Sequence, residues 1–125
     1  MLKRSLASLA ALALFALPLS AQAMQHNEGD EITLTGHVID VYCYSTMGAK
    51  GEGHKTCATA CAKAGEPLAI LASDGTVYMP VSNKPGDPQN PRLLPFVEGE
   101  VTVTGLHRVV NGLHTIQIQT IKAAT

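Results

Sequence analysis

The runs "EVTVTGLHRVV" (100–110) and "LHTIQIQTI" (113–121) alternate apolar and polar residues on either side of Asn111-Gly112. A period of two marks a strand with one face buried, and Asn-Gly suits a two-residue turn whose central residues both need positive φ. The pair predicts a β-hairpin, and a hairpin needs further strands to cover its apolar face. Two such runs, "PLAILA" (67–72) and "TVYMPV" (76–81), flank Asp74-Gly75, which carries the same turn chemistry. A fifth, "EITLTGHVIDV" (31–41), sets Ile32, Leu34, Gly36 and Val38 on one face and Thr33, Thr35, His37 and Ile39 on the other. Between the third and fourth runs lies "SNKPGDPQNPRLLPFVEG", whose prolines at 85, 88, 91 and 95 predict a loop with at most one helical turn near Leu93 and Leu94.

Five strands, one long third-to-fourth connection, and glycines at Gly36 and Gly105 where strands can bend predict a small closed or nearly closed antiparallel barrel. "GEVTVTGLH" (99–107) followed by a hairpin resembles the fourth and fifth strands of small exported bacterial OB-fold proteins, and the order of elements is similar across most of 30–122. The resemblance implies a mainly β, OB-fold-like barrel, a fold that elsewhere binds protein or glycan partners on its barrel face. A stretch at 42–65, inserted between strands one and two, departs from it.

Residues 1–23 read as a secretory leader. Lys3 and Arg4 precede an apolar run from Leu6 to Leu17, Pro18 breaks it, and Ala21 and Ala23 form an A-x-A site. The run is shorter than the roughly 20 apolar residues of a spanning helix. The expectation is cleavage after Ala23, a single OB-fold-like domain over 24–125 with no membrane span, and a periplasmic or secreted location. The leader takes Lys3 and Arg4 from nine basic residues, so seven face ten acidic ones, a net charge of minus three. With its lysines and arginines scattered singly and few aromatics, the chain offers no basic face or stacking platform for nucleic acid.

All three cysteines lie in "VYCYSTMGAKGEGHKTCATACAKAG" (41–65). Its first half is glycine-rich and predicts a loop. Its second half, alanine-rich and ended by Gly65 before Pro67, predicts a helix over 54–64. At about 100° per residue, His54, Cys57 and Cys61 fall at roughly 0°, 300° and 340°, one stripe about 60° wide. Lys55, Thr59 and Lys63 take the opposite side, and Ala58, Ala60 and Ala64 are expected to face inward. Cys43, leaving strand one, is placed to meet the sulfur face.

Three chemistries suit such a cluster. Cys43, His54, Cys57 and Cys61 form a possible S₃N site for Zn(II), or for Cu(I) with Met47 as a further soft donor. The C-x₃-C spacing matches no standard zinc knuckle, and covalent haem would need C-x-x-C-H where Ala62 follows Cys61. Alternatively, Cys43 forms a disulfide with Cys57 or Cys61, pinning the helix to the barrel. Closing a loop of about 15 residues is worth roughly 3 kcal/mol. This leaves one spare thiol on an interaction module for a protein or glycan partner. In the third chemistry, Cys57 in the first helical turn is a reactive thiol, with Lys55 and His54 beside it.

Asp40 is a candidate outer carboxylate for His54, since ligand histidines donate their second N–H to such groups. His107 and His114 fall near each other across the last hairpin and read as two partly buried strand histidines. His26 and His37 read as surface residues, and Met24 with His26 offers a weak Cu(II) chelate at a new N-terminus. No paired-carboxylate motif, G-x-S-x-G, phosphate loop or dinucleotide fingerprint occurs, so no nucleotide cofactor is expected and ordinary enzyme chemistry is disfavoured. The sequence therefore points to a metal-binding or metal-cofactor-binding protein, with a periplasmic protein as a conceivable partner.

Overall fold

A computed structural model describes residues 27–125. The expected leader, Met24 and His26 lie outside the described residues. Five strands, β1 (Asp30–Asp40), β2 (Leu68–Ala72), β3 (Val77–Pro80), β4 (Glu100–Val110) and β5 (Leu113–Ala123), close into a barrel in the order β1-β2-β3-β5-β4. The expected OB-fold-like barrel is thus present, with one correction. The barrel is mixed rather than antiparallel, because β3 pairs with β5 in parallel through Met79 with Thr115 and Pro80 with Ile116. Topology requires this, since an odd ring of strands cannot alternate direction all the way round.

The first strand serves two neighbours. Its first part pairs with β4 and its second with β2, and Gly36 and His37 pair with both. At this crossing a Cβ on Gly36 would lie 2.7 Å from both the Leu71 carbonyl oxygen and Ile70 Cγ2. Gly105 occupies the register shift between β4 and β5, where a Cβ would strike the Gln117 carbonyl. Both glycines answer to close backbone approach at a bend, as their positions in the sequence suggest.

Val38, Ile70, Val101, Val103, Ile116 and Ile118 fill the barrel, and Ile32 and Leu34 pack against them. Within the long third connection, α3 (Asn90–Leu93) runs into a 3-10 turn (Leu94–Phe96), and Leu93 is wholly buried in the core. The single turn expected near Leu93 and Leu94 lies here. Asn90 ties this turn to the inserted segment: its Oδ1 accepts from Leu68 N at 3.0 Å, and its Nδ2 donates to the carbonyls of Ala62 at 3.0 Å and Glu66 at 2.6 Å.

The inserted segment is more helical than expected. A helix α1 (Val41–Met47) follows β1 directly, and a 3-10 turn (Glu52–His54) leads into α2 (Lys55–Ala64). The Asp40 side chain caps α1 by accepting from Cys43 N, and Gly48, at φ 66°, ends it in the left-handed conformation. Val41 and Tyr44 of α1 cover Ile39, Ala69 and Leu71 in a small second core together with Val77 and Met79. Helix α2 packs Ala58 and Ala62 into the barrel core, whereas Ala60 and Ala64 are exposed. The expected inward set is corrected to an i, i+4 pair, which shares a single face as the helical repeat demands.

Candidate metal centre

The three cysteines reach one place from two helices. Cys43, in the first turn of α1, is buried at 4% exposure; Cys61 is half-buried and Cys57 exposed on α2. Ligand atoms of Cys43, His54 and Cys57 all lie within 4.8 Å of one another, and those of Asp40, Cys43 and Cys61 do likewise. Cys43 belongs to both sets. The predicted stripe on α2 and the predicted meeting with Cys43 are both present. Met47 ends α1 one turn beyond Cys43 and is 66% exposed.

His54 is held by a residue that the sequence did not mark. Its Nδ1 lies 2.8 Å from Glu98 Oε1, and Glu98 is buried at 3% exposure. A carboxylate only accepts, so Nδ1 carries a proton, and in the neutral ring Nε2 keeps its lone pair. Glu98 Oε2 also accepts from the Gly51 backbone N–H at 2.6 Å and from His37 Nε2 at 2.8 Å. The outer carboxylate of His54 is therefore Glu98 and not Asp40, and His37 is part of the same network rather than a plain surface residue. Glu98 sits at φ 58°, and its backbone N–H donates to the Val38 carbonyl at 2.9 Å. A non-glycine residue held there indicates a side chain whose contacts offset an unfavourable backbone. The run "FVEGE" carries no spacing that would single it out.

Two buried side-chain polar atoms among the described residues have no hydrogen-bond partner: His54 Nε2 and Asp40 Oδ2. Their residues belong one to each of the two ligand sets. Leaving a buried polar atom unsatisfied costs about 1–3 kcal/mol, so two such atoms flanking three sulfurs mark a place suited to a bound cation. Asp40 spends only Oδ1 on capping α1, at 3.0 Å.

Cys43 and Cys61 favour their protonated form in the absence of a cation. Burial, then the neighbouring Asp40 carboxylate, push Cys61 up to about 12, and burial followed by Asp40 raises Cys43. A positive ion among them reverses that balance, because it stabilises thiolate directly. All three cysteines are free thiols, although Cys43 Sγ is within 4.8 Å of the sulfurs of both Cys57 and Cys61.

The His107–His114 pair stands apart from this cluster on β4 and β5. No helix among the described residues is long and apolar enough to cross a membrane. Comparison of the chain with protein-family models, with curated proteins and with solved structures finds no match.

Proposed function

We propose that the protein is an exported, periplasmic or secreted, binding protein for a soft or borderline transition-metal ion, Cu(I) or Zn(II), or for a cofactor containing one. The observation that carries this reading is the pair of buried unpartnered atoms, His54 Nε2 and Asp40 Oδ2, in ligand sets that share Cys43. Cys43 and Cys57 would supply thiolates and His54 its Nε2, with Cys61 or Asp40 as the fourth donor. Three sulfurs with one nitrogen suit tetrahedral Zn(II), and the sulfurs alone suit Cu(I). On binding, the ion supplies the positive charge that lets the thiols release their protons to solvent.

Glu98 supports the same reading. Ligand histidines are typically fixed by a carboxylate at their second nitrogen, and the Nδ1–Glu98 contact is of that kind. Exposure of Cys57 leaves one edge of the site open, which suits an ion that is loaded and released more than one sealed into the fold.

Thiol counting and elemental analysis of the mature protein test this reading. Three thiols and one equivalent of metal held by the thiol cluster are expected, with that equivalent lost in Cys43→Ser and Cys57→Ser. Undiminished metal in either variant overturns it.

A second reading rests on the proximity of Cys43 to both other sulfurs. Oxidation of either pair would give a disulfide-stabilised module with one spare thiol that binds a protein or glycan partner on the barrel. One titratable thiol, no metal, and a melting temperature lowered by reductant would select it.

A further inference from the structure

At the end of the barrel interior, beyond Ile116, two imidazoles face each other. His107 on β4 and His114 on β5 belong to the inward-facing rows of Val101, Val103 and of Ile116, Ile118, and both rings are half-buried. His107 Nε2 lies 3.1 Å from His114 Nδ1. The ring planes are within 11° of parallel with centroids 5.2 Å apart, so the rings lie nearly side by side with the two nitrogens between them. Tyr78 of β3 meets both edge-on, at centroid distances of 5.2 Å and 5.7 Å. Three strands thereby fix the rings in one arrangement.

We propose that His107 Nε2 and His114 Nδ1 form a second, independent metal site, for a borderline divalent ion such as Zn(II) or Cu(II), at the barrel mouth. With metal–nitrogen bonds of about 2.0–2.1 Å, nitrogens 3.1 Å apart subtend an angle of about 100° at one ion, within the range that tetrahedral and cis-planar coordination accept. Asp30 pairs with His107 in the β1–β4 register, on the same face and exposed, so a carboxylate stands within one cross-strand step of the site. The Asp74 carboxyl in the β2–β3 turn is held low chiefly by hydrogen bonds from Thr76 and, last, by the charge of His114. Both carboxylates favour a cation there, and water completes the coordination. When the ion binds, the proton between the two nitrogens passes by way of solvent to the other nitrogen of its own ring, so both rings ligate as neutral imidazoles.

This site shares no residue with the thiol cluster, so either can fail without the other. Zn(II) chloride titrated into the mature protein, with the histidine ring ¹⁵N resonances followed by NMR, tests it. The expected result is movement of the His107 Nε2 and His114 Nδ1 signals towards metal-bound values, unchanged in Cys43→Ser. His107→Gln and His114→Gln should each weaken this site by more than about tenfold, the low end of what loss of a merely outer partner costs. Should these variants not fold, the wild-type spectra still decide. Ring signals that stay put at millimolar Zn(II) overturn the proposal and leave the pair as a simple N–H···N hydrogen bond.

Discussion

Replacing Glu98 by Gln separates what this buried carboxylate does for the fold from what it does for His54. In the native protein it accepts three hydrogen bonds: from Gly51 N at 2.6 Å, His37 Nε2 at 2.8 Å and His54 Nδ1 at 2.8 Å. A glutamine whose oxygen stays on the Gly51 and His37 side presents its NH₂ to His54 Nδ1. That nitrogen must then accept, so the ring proton moves to Nε2, the atom available to join Cys43 and Cys57. A protonated Nε2 cannot ligate, and restoring the lone pair sets two donors against each other. Metal affinity should fall by about 10–100-fold, or about 1.4–2.8 kcal/mol. Stability should fall by about 1.5–3 kcal/mol through the lost charge-assisted bond, which for a domain of this size lowers Tm by roughly 10 °C. Competition against a chelator of known affinity measures the first, and denaturant unfolding of the apo protein the second. A folded variant that binds metal as tightly as the wild type would refute the assignment of Glu98 as the residue that positions His54.

Asn90→Ala removes the bonds to Leu68, Ala62 and Glu66 together and should cost about 2–3 kcal/mol in urea unfolding, with the slope against urea unchanged. Gly36→Ala forces a methyl onto the Leu71 carbonyl and Ile70, and should cost about 1–3 kcal/mol by the same measurement. Cys57, the exposed thiol, should be alkylated first in the apo protein, with Cys43 protected until the fold opens; mass spectrometry of timed samples reads the order. Because Cys61 is raised from 9.0 to about 12, its proton is bound more tightly in the folded state. That contribution is fully present below about pH 9 and is lost as pH rises towards 12. Cys61→Ser should flatten this part of the apo stability profile, and an unchanged profile would contradict it.

Local chemistry made much of the barrel legible. Alternation located all five strands to within two residues at their ends, and Asp74-Gly75 and Asn111-Gly112 joined two pairs of them. Gly75 and both residues of the second turn adopt positive φ, as such turns need. The parallel β3–β5 seam was less visible because it joins strands far apart in the chain and depends on how many strands close the ring. Helix α1 was hidden by the glycines that follow it; its start depends on Asp40 reaching Cys43 N, one hydrogen bond among several options for an Asp at a strand end. In α2 the 3.6-residue repeat brought His54, Cys57 and Cys61 to one side, and the short path from β1 carried Cys43 to them. Glu98 is 44 residues from His54 and 61 from His37, so no window on the sequence could pair them.

That separation bears on when the centre comes into being. His54 is steered by a residue just ahead of β4, so a chain emerging N-terminus first has its sulfurs long before its imidazole is aligned. The ligand array is completed only once the fourth strand docks on the first. A transplant of 41–65 into a foreign scaffold would carry the thiols and leave the ring unguided.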